Sequence, residues 1–462
     1  MVNLRVLRTE LKRSVAPWAG LTVLVTGLLF LYLILGPGES TADWTAQWTT
    51  MALTVRGLLY YMWPVAVGFG ALQGLRDSRS RVTELMATVP RPAWQRAAAP
   101  AAASALALAS AFLLLTATGA AHVLLGETIY VPLGWLPIVL VAVLALAAGA
   151  LLGMGVASAL PSVLTPPLTA VAAFVMTVLL QQSVDAALPT GNAPNVLAQL
   201  APAVALPREE LLTLASSVHL GQTLWLLGML ATGFALLAAA SARARLLALA
   251  PVLAGAVLAL LVLPAETRDT YVVDEAAVEL VCDGPVCVTE MHRDRLAALA
   301  PHGKEALRVL REALGEEAPD AVREETTLRK GFMGSRELSE TTVLFDFDDP
   351  VIARAEGDQL TRALVGQGLA PNCTERSSWV GGFGMKETAQ SVTAAWALGD
   401  FQPMDWAGVD GLPGEREDAE AAWDRLAELP PAEQRAWVTD LRTATLACDI
   451  KDRRGVLTGE AF

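Results

Sequence analysis

The sequence predicts an all-α polytopic membrane domain of about seven transmembrane helices, joined to an α+β domain on the extracytoplasmic side. Three observations predict it. Hydrophobic residues make up 53% of the 462 positions, mean hydropathy is +0.44, and only 18% are charged, against roughly a quarter in soluble domains. The charge is also unevenly divided. Residues 1–264 hold 13 basic and 9 acidic side chains, whereas 265–462 hold 21 and 38, a net of +4 against −17. Such asymmetry implies two regions in different solvents, and an acidic half excludes the phosphate neutralisation that nucleic-acid binding needs.

Seven apolar stretches approach the length of about 20 residues that a bilayer-crossing helix requires: about 19–36, 57–75, 101–121, 135–157, 162–180, 220–240 and 246–265. Pro161, Pro166 and Pro167 crowd the start of the fifth. Trp18, Trp48, Trp63, Trp135 and Trp225 lie in or near span ends, where indole rings favour the headgroup level. Basic residues fall on alternate connections: Arg5, Arg8, Lys12 and Arg13 before the first span, Arg76 to Arg96 between the second and third, and Arg243 and Arg245 between the sixth and seventh. The positive-inside rule then puts the N-terminus in the cytoplasm and residues 266–462 outside. The first apolar run is too long for a signal-peptide core and is read as retained.

Two cytoplasmic elements are amphipathic. Across residues 2–14, Leu4, Leu7 and Leu11 recur at helical spacing beside Arg5, Arg8 and Lys12, the pattern of a helix lying in the interface plane. In the loop after the second span, Val82, Leu85, Met86 and Val89 form one stripe, and Pro90 and Pro92 end the helix. That helix carries an apolar face in need of a partner.

The loop RDSRSRVTELMATVPRPAWQR (76–96) resembles the first cytoplasmic loop of ABC type-2 exporter permeases, with an Arg-rich entry, an amphipathic Glu-Leu helix and a Pro-Arg exit. The resemblance covers roughly residues 1–240 and implies that residues 78–90 act as a coupling helix seated on a separate ATPase subunit. Arg79, Arg81, Glu84, Leu85, Met86 and Pro90 would form the contacting surface, and residues 1–16 would hold the family's elbow helix. The permease domain would run over 17–265. It implies an assembly dimeric with itself or a second permease, two cytoplasmic ATPases, and ATP and magnesium bound by those partners. The seventh span and the 266–462 domain depart from the usual six-span core. No Walker A loop is built in: GGFGMKE (381–387) has the wrong spacing and lacks the Ser/Thr for magnesium.

In the external half, TYVV, VELVC and TTVLFDF read as strands, and helices are expected near 303–315, 350–366, 388–398, 416–428 and 431–447. For segment 181–219 the resemblance implies short re-entrant helices near the extracellular exit, with an exposed loop as the alternative; the residues themselves show helical character over 207–217. All four cysteines lie in the external half, Cys282, Cys287, Cys373 and Cys448. An even number in an oxidising compartment fits disulfides, and four cysteines allow three connectivities. The Asp-Gly turn in VELVCDGPVCVTE suggests a hairpin clipped by Cys282–Cys287, leaving Cys373–Cys448; a metal site of Cys282, Cys287 and His292 is the alternative. Glu290 and His292 read as a solvated turn, and DFDDP (346–350) as surface acidity. No compact catalytic motif is present. A non-transporting anchor presenting a sensor domain, or a membrane enzyme with an external site, are the rivals to a permease. The negative external charge would draw cationic partners or substrates.

Overall fold

The computed structural model describes residues 4–36, 44–76, 92–126, 130–181, 184–185, 193–194, 196–204, 211–266, 269–326, 338–347, 349–371, 383–402, 404 and 415–447. The chain opens with α1 (Leu4–Arg13), followed by α2 (Ala16–Leu29), which runs on as a π-helical turn, Phe30–Leu35. Next come α3 (Trp48–Gly57), α4 (Leu59–Gly74), α5 (Ala93–Leu125), α6 (Trp135–Ala159) and α7 (Thr165–Gln181). Helices α8 (Ser216–Ala238), α9 (Ala242–Leu247) and α10 (Ala250–Val262) complete this part. Five helical stretches are long and apolar enough to cross a membrane: 16–35, α5, α6, α8 and 242–262. Two further apolar helices, α4 and α7, have 16 and 17 residues. All seven apolar stretches of the sequence are therefore helical among the described residues, and five have spanning length.

Side-chain and backbone contacts fix the direction of each helix. At one end, Val15 N donates to Gln73 Oε1 (3.2 Å), Ser158 Oγ donates to Leu236 O (3.3 Å) and Arg245 Nη1 donates to Ala159 O (3.0 Å). At the opposite end, Gln181 Nε2 donates to Ala203 O (3.3 Å), Gln199 Nε2 to Pro264 O (3.3 Å), and Tyr32 Oη pairs with His122 Nε2 (2.7 Å). The first end gathers Arg76, Arg243 and Arg245, so the basic connections converge. Helices related in this way run alternately toward and away from that basic end.

Small residues set the tightest approach. A Cβ on Gly70 would stand 2.1 Å from Ala150 O, and one on Gly153 would stand 2.1 Å from Val67 O. Glycine is therefore required where α4 and α6 meet, because any side chain would force the backbones apart. Trp63 and Trp48 correct the expected aromatic belt. Trp63 is buried against α6, donating from Nε1 to Ala145 O (3.1 Å), and Trp48 is buried and stacked on Trp135. Trp18, by contrast, is 66% exposed.

In segment 181–219 the described residues form no pair of re-entrant helices, and Ala198, Gln199, Ala201, Leu212 and Leu214 among them are buried rather than exposed. The segment holds a two-residue strand pair, β1 (Val184–Asp185) with β2 (Ala193–Pro194), a 3₁₀ turn at Ala198–Leu200, and β3 (Leu212–Leu214). Helix begins only at Ser216, so the expected helicity over 207–217 is overturned at 212–214. Leu212 and Leu214 are buried, an alternation suited to a strand. Their partner is β4 (Tyr271–Val273), the TYVV run, paired antiparallel with Leu214 opposite Tyr271. The chain leaving the last apolar helix is thus stitched to the segment before α8.

The C-terminal region has its own core. A four-stranded sheet runs β5 (Leu280–Asp283), β6 (Val286–Thr289), β7 (Ala321–Glu324), β8 (Thr342–Phe345) in that order, with β5–β6 antiparallel and the other pairs parallel. Helix α11 (Leu296–Leu314) makes the crossover that parallel strands demand. Helices α12 (Pro350–Arg354), α13 (Asp358–Leu369), α14 (Phe383–Leu398), α15 (Glu415–Ala427) and α16 (Pro431–Leu446) follow; α11 takes up the expected 303–315, and the expected 350–366 is two helices, parted before Asp358 where Gly357 has φ 55°. Val286, Leu310, Val322, Phe345 and Leu364 meet in the core. Strand β7 is new relative to the sequence reading, since AVRE sets two apolar residues before two charged ones, and its alternation lies only in burial, with Val322 and Glu324 inward.

Candidate functional site

The segment singled out by sequence, with Arg79, Arg81, Glu84, Leu85, Met86 and Pro90, lies outside the described residues, between Arg76 and Pro92. What anchors it is described. Helix α4 delivers the chain to Arg76, and α5 takes it up at Ala93. Arg76 Nη1 pairs with Glu10 Oε2 of α1 at 2.8 Å, and the Val15 N–H just after α1 binds Gln73 in the last turn of α4. Gln73 is buried. The Arg76–Glu10 pair is partly exposed, so its energetic worth is at most about 1 kcal/mol; its importance is positional. Arg8, Lys12 and Arg13 are exposed, and α1 is helical through Arg5, as the amphipathic pattern predicted.

At the opposite end sits a buried polar node. Arg56, near the end of α3, is fully buried. Its Nη2 donates to Gln222 Oε1 and its Nε to Pro202 O (3.5 Å), while Nη1 has no partner. Gln222 is fixed in turn: its Nε2 donates to Gln199 O (2.7 Å) and Ala201 O (3.4 Å). His219, one turn earlier on α8, has a buried Nδ1 without a partner. Arg56 acts electrostatically on both His219 and Tyr271 of β4. Four stretches distant in sequence meet here: α3, residues 196–204, the first turns of α8, and the chain just beyond α10. Nearby, Tyr130 Oη donates to Asp274 Oδ2 (3.3 Å), and burial together with that carboxylate pushes the phenol pKa up.

The chain matches no family model, no curated protein and no solved structure.

In the C-terminal region, Cys282 and Cys287 are disulfide-bonded across register partners of the β5–β6 hairpin, as the hairpin reading expected. The two-residue loop is Gly284-Pro285, with Gly284 at φ 65°, a conformation that suits a tight hairpin. Bonded sulfurs cannot ligate metal, which removes the Cys282, Cys287, His292 alternative, and no metal-holding cluster occurs among the described residues. Cys373 and Cys448 lie outside the described residues. Closing so short a loop predicts that Cys282→Ser with Cys287→Ser lowers stability by about 2 kcal/mol, measured by thermal unfolding without reductant.

His292 is not on a solvated turn. It is buried, and its Nδ1 donates to Glu324 Oε1 at 2.6 Å; Glu324 Oε2 accepts from Thr289 N at 2.7 Å. The imidazole rests against Phe347, with ring centroids 4.7 Å apart. These groups cluster at the C-terminal ends of β6, β7 and β8. DFDDP is likewise more than surface acidity: Asp349 is buried, and its Oδ1 accepts from Val351 N to cap α12. Glu290 pairs with Arg293 at the surface. Only tertiary pairing identifies Glu324, because in sequence it is one of many acidic residues.

Proposed function

We propose that the chain is the membrane-spanning subunit of an ATP-binding-cassette exporter, driven by a separate ATPase that docks on residues 78–90. The carrying observation is that the basic, amphipathic segment hangs between α4 and α5 and that its root, Arg76, is bonded to the interfacial helix α1 through Glu10. A push on the segment would move α4 and α1 together, which is what transmission from an ATPase into the bundle requires. The reading has seven crossings, a cytoplasmic basic end, an extracytoplasmic C-terminal region, and a dimer, with itself or with a second permease, in the cell membrane. ATP and magnesium belong to the partner. A two-state bundle biased by nucleotide would then open outward.

The rival reading, an anchor presenting a sensor, draws on the separate core of the C-terminal region. Two measurements on the full chain in its native membrane decide between them. Single cysteines across 78–92 should react with an impermeant maleimide only after the cells are permeabilised. ATP hydrolysis co-purifying with the chain should fall at least about tenfold in Leu85→Asp, which puts a charge into an apolar contact. Labelling in intact cells, or hydrolysis indifferent to Leu85→Asp, would refute the transporter reading.

A further inference from the structure

We infer that the Arg56 node is a binding site for a phosphate group, supplied either as a free anion or as a lipid headgroup. The inference stands apart from the exporter reading, since it concerns the opposite end of the bundle and needs no ATPase.

A guanidinium carries a full charge and five N–H donors at any accessible pH. Both groups that Arg56 engages, the Gln222 amide oxygen and the Pro202 carbonyl, are neutral. Among the described residues no carboxylate pairs with Arg56, although the side chain is fully buried. Burying a cation without a counter-anion is strongly unfavourable, and ionisable groups so placed in membrane proteins mark ligand pathways. The surroundings also hold the guanidinium ready. Gln222 cannot turn its amide, because Nε2 is committed to Gln199 O and Ala201 O. Gln199 is held through Pro264 O. The idle Nη1 and the idle His219 Nδ1 supply donors from two elements, and one imidazole tautomer carries its proton on Nδ1. An oxyanion with tetrahedral oxygens fits a forked cation plus a second N–H, with the fork setting the geometry. Because Pro202 O caps Nε, entry requires residues 196–204 to shift, so occupancy would lock α3 to α8 and to the chain beyond α10.

The test uses the full chain purified in neutral detergent, with its unfolding midpoint followed at constant ionic strength. Inorganic phosphate is titrated in one arm, and phosphatidylglycerol replaces diacylglycerol, which has no phosphate, in the mixed micelle in the other. A rise of about 3 °C or more is expected in at least one arm, and the responding arm names the source. Arg56→Met should abolish the rise, each protein being read against its own midpoint without anion, because Met removes the charge and also the donors that Gln222 Oε1 and Pro202 O accept from. If Arg56→Met does not fold, Arg56→Lys carries the test: charge without the fork should need at least about tenfold more anion for the same rise. No rise in either arm for the native chain, or an undiminished rise in the Arg56 variant that folds, overturns the inference.

Discussion

Replacing Glu324 by alanine is expected to destabilise the C-terminal region by about 3 kcal/mol, the usual consequence of removing a buried acceptor on which two donors converge. Both partners are almost inaccessible, and Glu324 serves two of them, the His292 ring and the Thr289 amide. Truncation would leave the Thr289 N–H without its acceptor and the His292 Nδ1–H with only the longer Thr289 Oγ1 contact (3.3 Å), each loss costing about 1–3 kcal/mol. Glu324→Gln should cost less, because the amide oxygen still accepts from Thr289 N. Limited proteolysis of the full chain measures this directly: faster cleavage within 286–369 for alanine than for glutamine is the expected order. Equal protection in both variants and the native chain would show that the pair carries no structural load.

The second large effect is expected where α4 crosses α6. Gly153→Leu places four heavy atoms where even a Cβ would lie 2.1 Å from the Val67 carbonyl. Flexible side chains cannot relieve that, since the obstacle is backbone. The helices must separate, breaking the Trp63 bond to Ala145 and the packing of Gly70 on Ala150. A loss of about 3 kcal/mol or more is expected, read as a large fall in the unfolding midpoint of detergent-solubilised protein or as failure to accumulate in the membrane. Leu140→Ala, on the same helix but 63% exposed, serves as the control and should shift the midpoint little. A control-like result for Gly153→Leu would mean that the α4–α6 contact is not a close one.

Much of the fold was legible because it depends on local pattern. The apolar runs marked α2, α4, α5, α6, α7, α8 and α10, since hydropathy over one helix length reports its solvent without reference to any partner. The leucine and cation spacing of residues 2–14 marked α1. An Asp-Gly step between β-rich runs marked the β5–β6 hairpin and with it the Cys282–Cys287 bond. Where a side chain contradicts its own neighbourhood, the same logic fails. Arg56 cut the second apolar run short at 57, yet helix begins at Trp48, with Gln222 and Pro202 meeting two of the three guanidinium nitrogens from far along the chain. Glu324 hid β7 for the same reason: a carboxylate in a strand core is tolerable only when His292 and Thr289 arrive to meet it. The β3–β4 pairing joins residues on opposite sides of α8 to α10, and no periodicity announces such a partner.

By itself, then, the sequence determined which segments are helical and apolar, where the positive charge gathers, and which two cysteines lie close enough to bond, because each follows from free energies summed over a few neighbouring residues. The tertiary structure alone decided which polar groups are buried and what they touch. That choice rests on desolvation balanced against hydrogen bonds between distant residues, and the balance exists only once the chain has brought them together.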